Sequence, residues 1–270
     1  MLYYYRARIE YNGARYCGWQ VQPNLQSVQS TLLKIIIKLC GGNSNLENKI
    51  KVVGSSRTDA GVHALDQVVS LVIPKKFEVQ KLFSSLNSML AEDIKILELE
   101  ECQEDFHPIK FVKKKQYLYF FQEEKYISVF TRPYVFPVKY KLNTSLMKSA
   151  AEVYLGTHDF AYYRSEGTIN KTTIRTIYEA TAYPLMTNPF FSLVHSPGMI
   201  VFSITANGFL RQMVRAMAGV ILGVGRGSIS LDQVKSTIDL AGDHKQLAKL
   251  APVLPGNSLF LYSSWPKFYS

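Results

Sequence analysis

The stretch Gly54-Ser55-Ser56-Arg57-Thr58-Asp59-Ala60-Gly61-Val62-His63-Ala64 stands between two short apolar runs, Ile50 to Val53 and Val68 to Ile73. Runs of that length bounded by turn residues predict strands, which makes the stretch the connection between two strands. Arg57, Asp59 and His63 fall within seven positions, and the two glycines permit backbone shapes that a side chain forbids. A carboxylate held beside a guanidinium stays ionised and oriented, as a general base or nucleophile requires. The same letters also spell an ordinary turn, Asp-Ala-Gly, with Arg57 and Asp59 as a surface ion pair.

Working outward, Tyr3 to Glu10 reads as a strand, and Tyr11-Asn12-Gly13-Ala14 carries the Asn-Gly signal of a tight turn. From Ser27, Val28, Leu32, Ile35, Ile36 and Leu39 recur at the spacing of one helix face, and Gly41-Gly42 supplies the stop. A second helix is spelled by Val79, Leu82, Phe83, Leu86, Met89 and Leu90, and Ile94 to Leu99 is a strand of imperfect alternation. The second half repeats the order. It reads as a strand at Tyr117 to Phe121, then a helix capped by Asn143 or Thr144 with Leu146, Ala150, Val153 and Tyr154 inward. Two alternating strands follow, on Ile174, Thr176, Tyr178, Ala180 and Ala182 and on Ile200, Phe202, Ile204 and Ala206. A long helix through Leu210, Met213, Val214, Met217 and Ile221, a short one at Leu231, Val234 and Ile238, and a strand near Leu259 to Tyr262 complete it.

Each half therefore spells strand, helix, strand, strand, helix, strand. The expected class is α+β, with two split β-α-β (ferredoxin-like) halves, an extended, mainly antiparallel sheet, helices on one face and a central basic cleft. The boundary is placed near Gln103 to Phe106, where an acidic stretch gives way to Lys113-Lys114-Lys115, so the halves are 1–105 and 106–270.

Lysine and arginine total 31 against 21 for aspartate and glutamate, a formal charge of +10, which favours a polyanionic partner. Seventeen tyrosines and two tryptophans offer stacking surfaces for unpaired bases, although aromatics also fill cores. No apolar run reaches membrane-spanning length and no secretory signal opens the chain, so a soluble, cytoplasmic protein without a membrane partner is expected. Three widely spaced cysteines suggest neither a disulfide framework nor a zinc ribbon.

Lys110, Lys113, Lys114 and Lys115 precede Gln116-Tyr117-Leu118-Tyr119, so cations could hold phosphates while a tyrosine stacks on a base; the plain version is a solvated run before a core strand. Arg211 and Arg215, four apart on the long helix, would share a face toward a cleft or toward solvent. Asp59, His63, His107, His158 and Asp159 fit no familiar metal spacing, and no metal is expected. Gly223 to Gly227 follows a helix and reads as its stop rather than a dinucleotide loop.

Together four blocks resemble the TruA family of tRNA pseudouridine synthases: Tyr11 through Asn24, Arg57 through Ala64, Gly156 through Phe160, and Gly208 through Arg215. They span nearly the whole chain. The resemblance implies the pseudouridine synthase fold and isomerisation of uridine in the tRNA anticodon stem-loop, at tRNA positions 38, 39 and 40, without metal or organic cofactor. It implies Asp59 as nucleophile after base flipping, Arg57 in the vacated place, Tyr117 packed on the flipped base, and Arg215 keeping the aspartate ionised. Lys110, Lys113 and Arg211 are the accompanying candidates for holding substrate, and a homodimer is expected. His63 becomes a support for the loop.

Two places depart from the family pattern. Pro108-Ile109 stand where the family tends to show Ala-Arg, with Lys110 one place later, and Ala251 to Leu259 is expanded before the last strand. The main rival reading is a non-catalytic RNA-binding protein on the same scaffold; a metal-dependent nuclease using Asp59 and His63 is more distant.

Overall fold

The structure, a computed structural model, describes residues 1–42, 48–165, 172–185, 197–238 and 249–268. It divides into two compact units, Met1–Lys113 with Leu261–Ser270, and Lys114–Phe260. The change of composition near 103–106 lies inside the first unit, which also takes in the end of the chain.

The first unit follows the expected order: β1 (Tyr3–Tyr11), α1 (Val28–Leu39), β2 (Lys51–Gly54), β3 (His63–Ile73), α2 (Val79–Met89) and β4 (Ile94–Glu101). β1 lies between β3 and β4, antiparallel to both, and β2 also pairs antiparallel with β3. Helix α1 begins where Ser27 Oγ accepts from Ser30 N at 3.1 Å and Ser30 Oγ accepts from Ser27 N at 3.0 Å, a reciprocal cap that satisfies two otherwise open donors. Its buried face is Val28, Leu32 and Ile36, and it stops at Gly41 and Gly42, both with positive φ. Asn87 fastens α2 to β4, donating to Ile96 O at 3.0 Å and accepting from Ile96 N at 2.8 Å. The broken alternation of β4 has a local cause: Arg8 faces Glu98 but Ile9 faces Ile96, so Leu97 is an extra residue in a bulge and turns outward.

A short helix α3 (Pro108–Phe111) follows β4. From Leu261 onward the last strand, β10 (Leu259–Trp265), also belongs to this unit. Ser264 N and Oγ donate to Asp66 Oδ2 and O, each at 2.8 Å, and buried Arg8 pairs with the same aspartate.

Asn12-Gly13 does not make a tight hairpin turn. Asn12 instead caps a 3₁₀ turn, Gly13–Arg15, accepting from Ala14 N at 3.1 Å, and Gly13 is not among the positive-φ residues. Glycine stands there for space: a Cβ on it would lie 2.0 Å from Val62 O.

The second unit contains β5 (Lys114–Glu123), β6 (Phe136–Val138), α4 (Thr144–Glu152), β7 (Gly156–Asp159), β8 (Ile174–Pro184), β9 (Met199–Ala206), α5 (Met213–Gly225) and α6 (Leu231–Ser236). Its strands run β5-β9-β8-β7, antiparallel, with β6 parallel to β5. β6 and β7 are additions to the expected order. The α+β class with predominantly antiparallel strands holds in both units, with ten strands among the described residues.

Three details of the second unit differ from the sequence pattern. On α4 the buried residues are Met147, Ala150 and Ala151, while Leu146 is exposed. In β8, Ile177 faces Ala206 but Glu179 faces Thr205, so Tyr178 is a bulge residue and is exposed, breaking the face assigned to Ile174 through Ala182. β9 is buried at every position, because Met199 and Val201 pack with Leu118, Phe120 and Val135 on the face opposite Phe202 and Ile204.

Candidate active site

The connection between β2 and β3 is built inside out. Ser55, Ser56 and Thr58 are buried, whereas Arg57 is exposed and Asp59 half-buried, so the backbone turns its small hydroxyl residues inward and presents the charged ones. Gln67 of β3, fully buried, grips the entry arm. Its Oε1 accepts from Ser55 Oγ at 2.8 Å and Ser56 N at 3.1 Å, while its Nε2 donates to Ser56 O at 2.6 Å. On the exit side Val62 N donates to Asp59 O at 3.2 Å, closing a turn whose third residue, Gly61, has φ +77°. The Asp-Ala-Gly letters thus do form a turn, and Asp59 is its first residue.

The stretch after β1 supports this loop from behind. Trp19 N donates to Thr58 O at 3.0 Å, Tyr16 O accepts from Gly61 N at 3.3 Å, and Tyr11 Oη lies 2.8 Å from Thr58 Oγ1. Gly18 has φ +110°, and a Cβ there would stand 2.5 Å from Thr58 O. A Cβ on Gly54 would stand 2.5 Å from the Trp19 ring. His63, buried at the start of β3, accepts from Gly13 N through Nδ1 at 3.1 Å, which is the supporting role expected of it. Asp93 holds the far side of this support, accepting from Tyr16 Oη at 2.7 Å and Arg15 Nε at 2.8 Å. Burial, with Asp93 next, pushes the Tyr16 hydroxyl far above its ordinary pKa, so it stays a donor.

Sequence reasoning left Gln67, Tyr11 and Trp19 without a role in the site. The available signal was the clustering of Gly13, Gly18 and Trp19 in one loop, since glycines before a bulky aromatic mark close backbone approach.

In the second unit Tyr117 lies on β5 opposite Ile204, buried, with its ring edge-on to Phe209 at 5.1 Å between centroids. Phe209 belongs to the segment leading into α5. Arg215 sits in the first turn of that helix, its Nε donating to Leu254 O at 2.7 Å while Leu254 N donates back to Arg215 O at 3.3 Å. Gly219, one turn on, lets Pro252 O approach: a Cβ would be 2.3 Å from it. The expanded segment before the last strand therefore packs along α5, and Pro255 O also accepts from the buried Tyr119 Oη at 3.0 Å.

Arg211 does not share a helix face with Arg215. The helix begins at Met213 after Gln212, which adopts the left-handed region at φ 62°, so Arg211 stands exposed in the turn before it. The lysine run is likewise divided. Lys110, at the end of α3, and Lys113 are exposed in the first unit; Lys114 opens β5 exposed, with its Nζ 4.9 Å from the Tyr178 ring centroid. Lys115, the next residue along the strand, points inward. Burial pushes its ammonium down to about 8, with the nearby Arg175 guanidinium adding to the shift. In the block Gly156 to Phe160, Gly156 and Thr157 are exposed on β7, Asp159 Oδ1 accepts from Ala161 N at 2.9 Å, and Phe160 is buried beside Tyr154 and Tyr163.

The sequence matches the family described as tRNA pseudouridine synthase over residues 7–109 and 150–263. It is 36% identical over 253 residues to tRNA pseudouridine synthase A of Thermodesulfovibrio yellowstonii, covering 94% of this chain and 95% of that one. The corresponding protein of Clostridium acetobutylicum is also 36% identical over 253 residues, with the same coverage. tRNA pseudouridine synthase A 1 of Bacillus cereus is 34% identical over 257 residues, covering 95% and 96%. By the span of the family match and these identities along nearly its whole length, the chain belongs to the TruA family of tRNA pseudouridine synthases, isomerases that act on tRNA.

Proposed function

We propose that this chain converts uridine to pseudouridine in the anticodon stem-loop of tRNA, at positions 38, 39 and 40, with Asp59 as the nucleophile. The observation that carries the reading is the inside-out loop, in which buried Ser55, Ser56 and Thr58 fix the backbone while Arg57 is exposed and Asp59 half-buried. A reacting carboxylate needs that combination of a fixed main chain and an accessible head group. The target uridine is flipped out of its stem, at a cost of a few kcal/mol, and Arg57 occupies the vacated place. The Asp59 carboxylate attacks the uridine, the bond from ribose to N1 breaks, and the ribose carbon rejoins the base at C5 as Asp59 leaves. The C5 proton departs and N1 gains one, so substrate and product are isomers. Tyr117 packs on the flipped base and Arg215 keeps Asp59 ionised. Lys110, Lys113 and Arg211 contact tRNA phosphates as exposed cations. The protein works in the cytoplasm as a homodimer, each subunit helping to hold the tRNA.

The test is pseudouridine mapping in tRNA after incubation with wild-type and Asp59→Ala protein. Asp59→Ala is expected to bind tRNA nearly as wild type and to form no pseudouridine. Undiminished product from that variant would sink the mechanism, whereas wild type that binds tRNA and forms no pseudouridine would favour the non-catalytic binding protein.

A further inference from the structure

We propose that Tyr11 is a positioning residue for Asp59, acting through the hydroxyl of Thr58; the inference rests on the reading of Asp59 as nucleophile. Tyr11 is the last residue of β1, and β1 registers it against Ala64, just beyond the end of the loop. From there its side chain reaches back to the middle of the loop, where its Oη lies 2.8 Å from Thr58 Oγ1, both residues being buried. Thr58 is the covalent neighbour of Asp59. Its side chain is thus tied to β1 while its carbonyl is tied to Trp19 N, so the peptide unit leading into Asp59 is held from two directions.

The tie is stiff at both ends. The Tyr11 ring lies 6.3 Å from the Trp19 ring, tilted by 32°, and Trp19 in turn fills the space over Gly54. A phenol has two side-chain torsions, so a packed ring leaves its hydroxyl little freedom. Tyr11 itself is buried, and its hydroxyl acts on the neighbouring residue; it is therefore assigned to geometry rather than to the chemical step. Small displacements of a reacting group cost far more in rate than the lost hydrogen bond costs in folding.

The experiment measures single-turnover pseudouridine formation, tRNA affinity and thermal stability for Tyr11→Phe, Thr58→Val, the two combined, Thr58→Ser and Asp59→Ala. Tyr11→Phe and Thr58→Val are each expected to slow the reaction by about 10- to 100-fold while tRNA affinity stays within about twofold of wild type. The combined variant should be no slower than the worse single one, because both remove the same contact. Thr58→Ser, which keeps the hydroxyl, should stay near the wild-type rate. Should Tyr11→Phe fail to fold, Thr58→Val against Thr58→Ser carries the same contrast. A full rate in folded Tyr11→Phe, or single effects that multiply in the combined variant, overturns the proposal. Product from Asp59→Ala overturns the underlying reading and the proposal with it, whereas an inactive Asp59→Ala beside a fully active Tyr11→Phe removes the proposal alone.

Discussion

Around Asp59 the first unit fixes its backbone by close approach, with Gly13, Gly18 and Gly54 standing where a Cβ would collide and Gln67 spending its whole amide on the entry arm. The second unit accepts unfavourable features instead. Gln212 is left-handed without being glycine, and Lys115 buries an ammonium near a second cation on Arg175. The first arrangement resists change because nothing can be added to it. The second carries local cost that the surrounding packing of α5 against Pro252 and Leu254 must offset. Substitution should therefore damage the first region by adding atoms and should improve the second by removing strain or charge.

The largest expected effect tests the first half of that contrast. Gly13→Ala places a carbon 2.0 Å from the Val62 carbonyl oxygen, a backbone atom that cannot swing aside. Overpacking of this kind is expected to cost roughly 3 kcal/mol, read as a lower urea midpoint, and to lower pseudouridine formation by displacing the turn that begins at Asp59. Gly42→Ala is the internal reference. There φ is +68° with nothing within 4 Å among the described residues, so the left-handed conformation carries the penalty, at about 1 kcal/mol. Equal losses in the two variants would show that close approach is not what fixes the loop.

The unequal legibility of the two regions follows from the same physics. Helix α1 could be read because Ser27, the apolar spacing and Gly41-Gly42 agree at every level. The loop around Asp59 could be placed because its glycines and flanking apolar runs punctuate it, but its supports could not: Gln67 reaches the entry arm only once β2 and β3 pair, and Tyr11 reaches Thr58 only once β1 and β3 pair. In the second unit the signals misled. Gln212 gives no glycine to mark the left-handed turn, so apolar spacing from Leu210 carries the helix three residues too far and puts Arg211 on it. The bulge at Tyr178 shifts a strand by one residue, which no period-2 pattern reveals. Lys115 looked like part of a solvated run because alternation begins only where β5 begins, at Lys114.

Lys115 gives the next test, of the second half of the contrast. In the folded chain its proton is lost near about 8, in the unfolded chain near the ordinary 10.5. Between those values the unfolded state binds more protons, so stability rises with pH; below the folded value the group contributes no slope. Relative to Lys115→Met, which has nothing to titrate, wild type should gain about 1 kcal/mol between pH ~8 and ~9. Parallel stability curves for the two proteins would mean that the buried ammonium carries no electrostatic cost, and the second region would lose one of its two unfavourable features.

The smallest effect isolates the other feature. A non-glycine residue in the left-handed region costs about 1 kcal/mol, while a glycine there adds roughly 0.5–1 kcal/mol of backbone entropy to be lost on folding. Gln212→Gly should therefore be neutral or gain a few tenths of a kcal/mol, the opposite sign from adding a methyl at Gly13. Gln212→Val sharpens the point, because a β-branched residue tolerates φ of 62° worse than glutamine and should lose about 1 kcal/mol. Since α5 starts at the next residue and Arg215 lies in its first turn, a loosened Gln212→Gly turn should also slow pseudouridine formation slightly at unchanged stability. A Gln212→Gly variant that is clearly less stable than wild type would place Gln212 among the residues held by their side chains, and the two regions would then differ less than their backbones suggest.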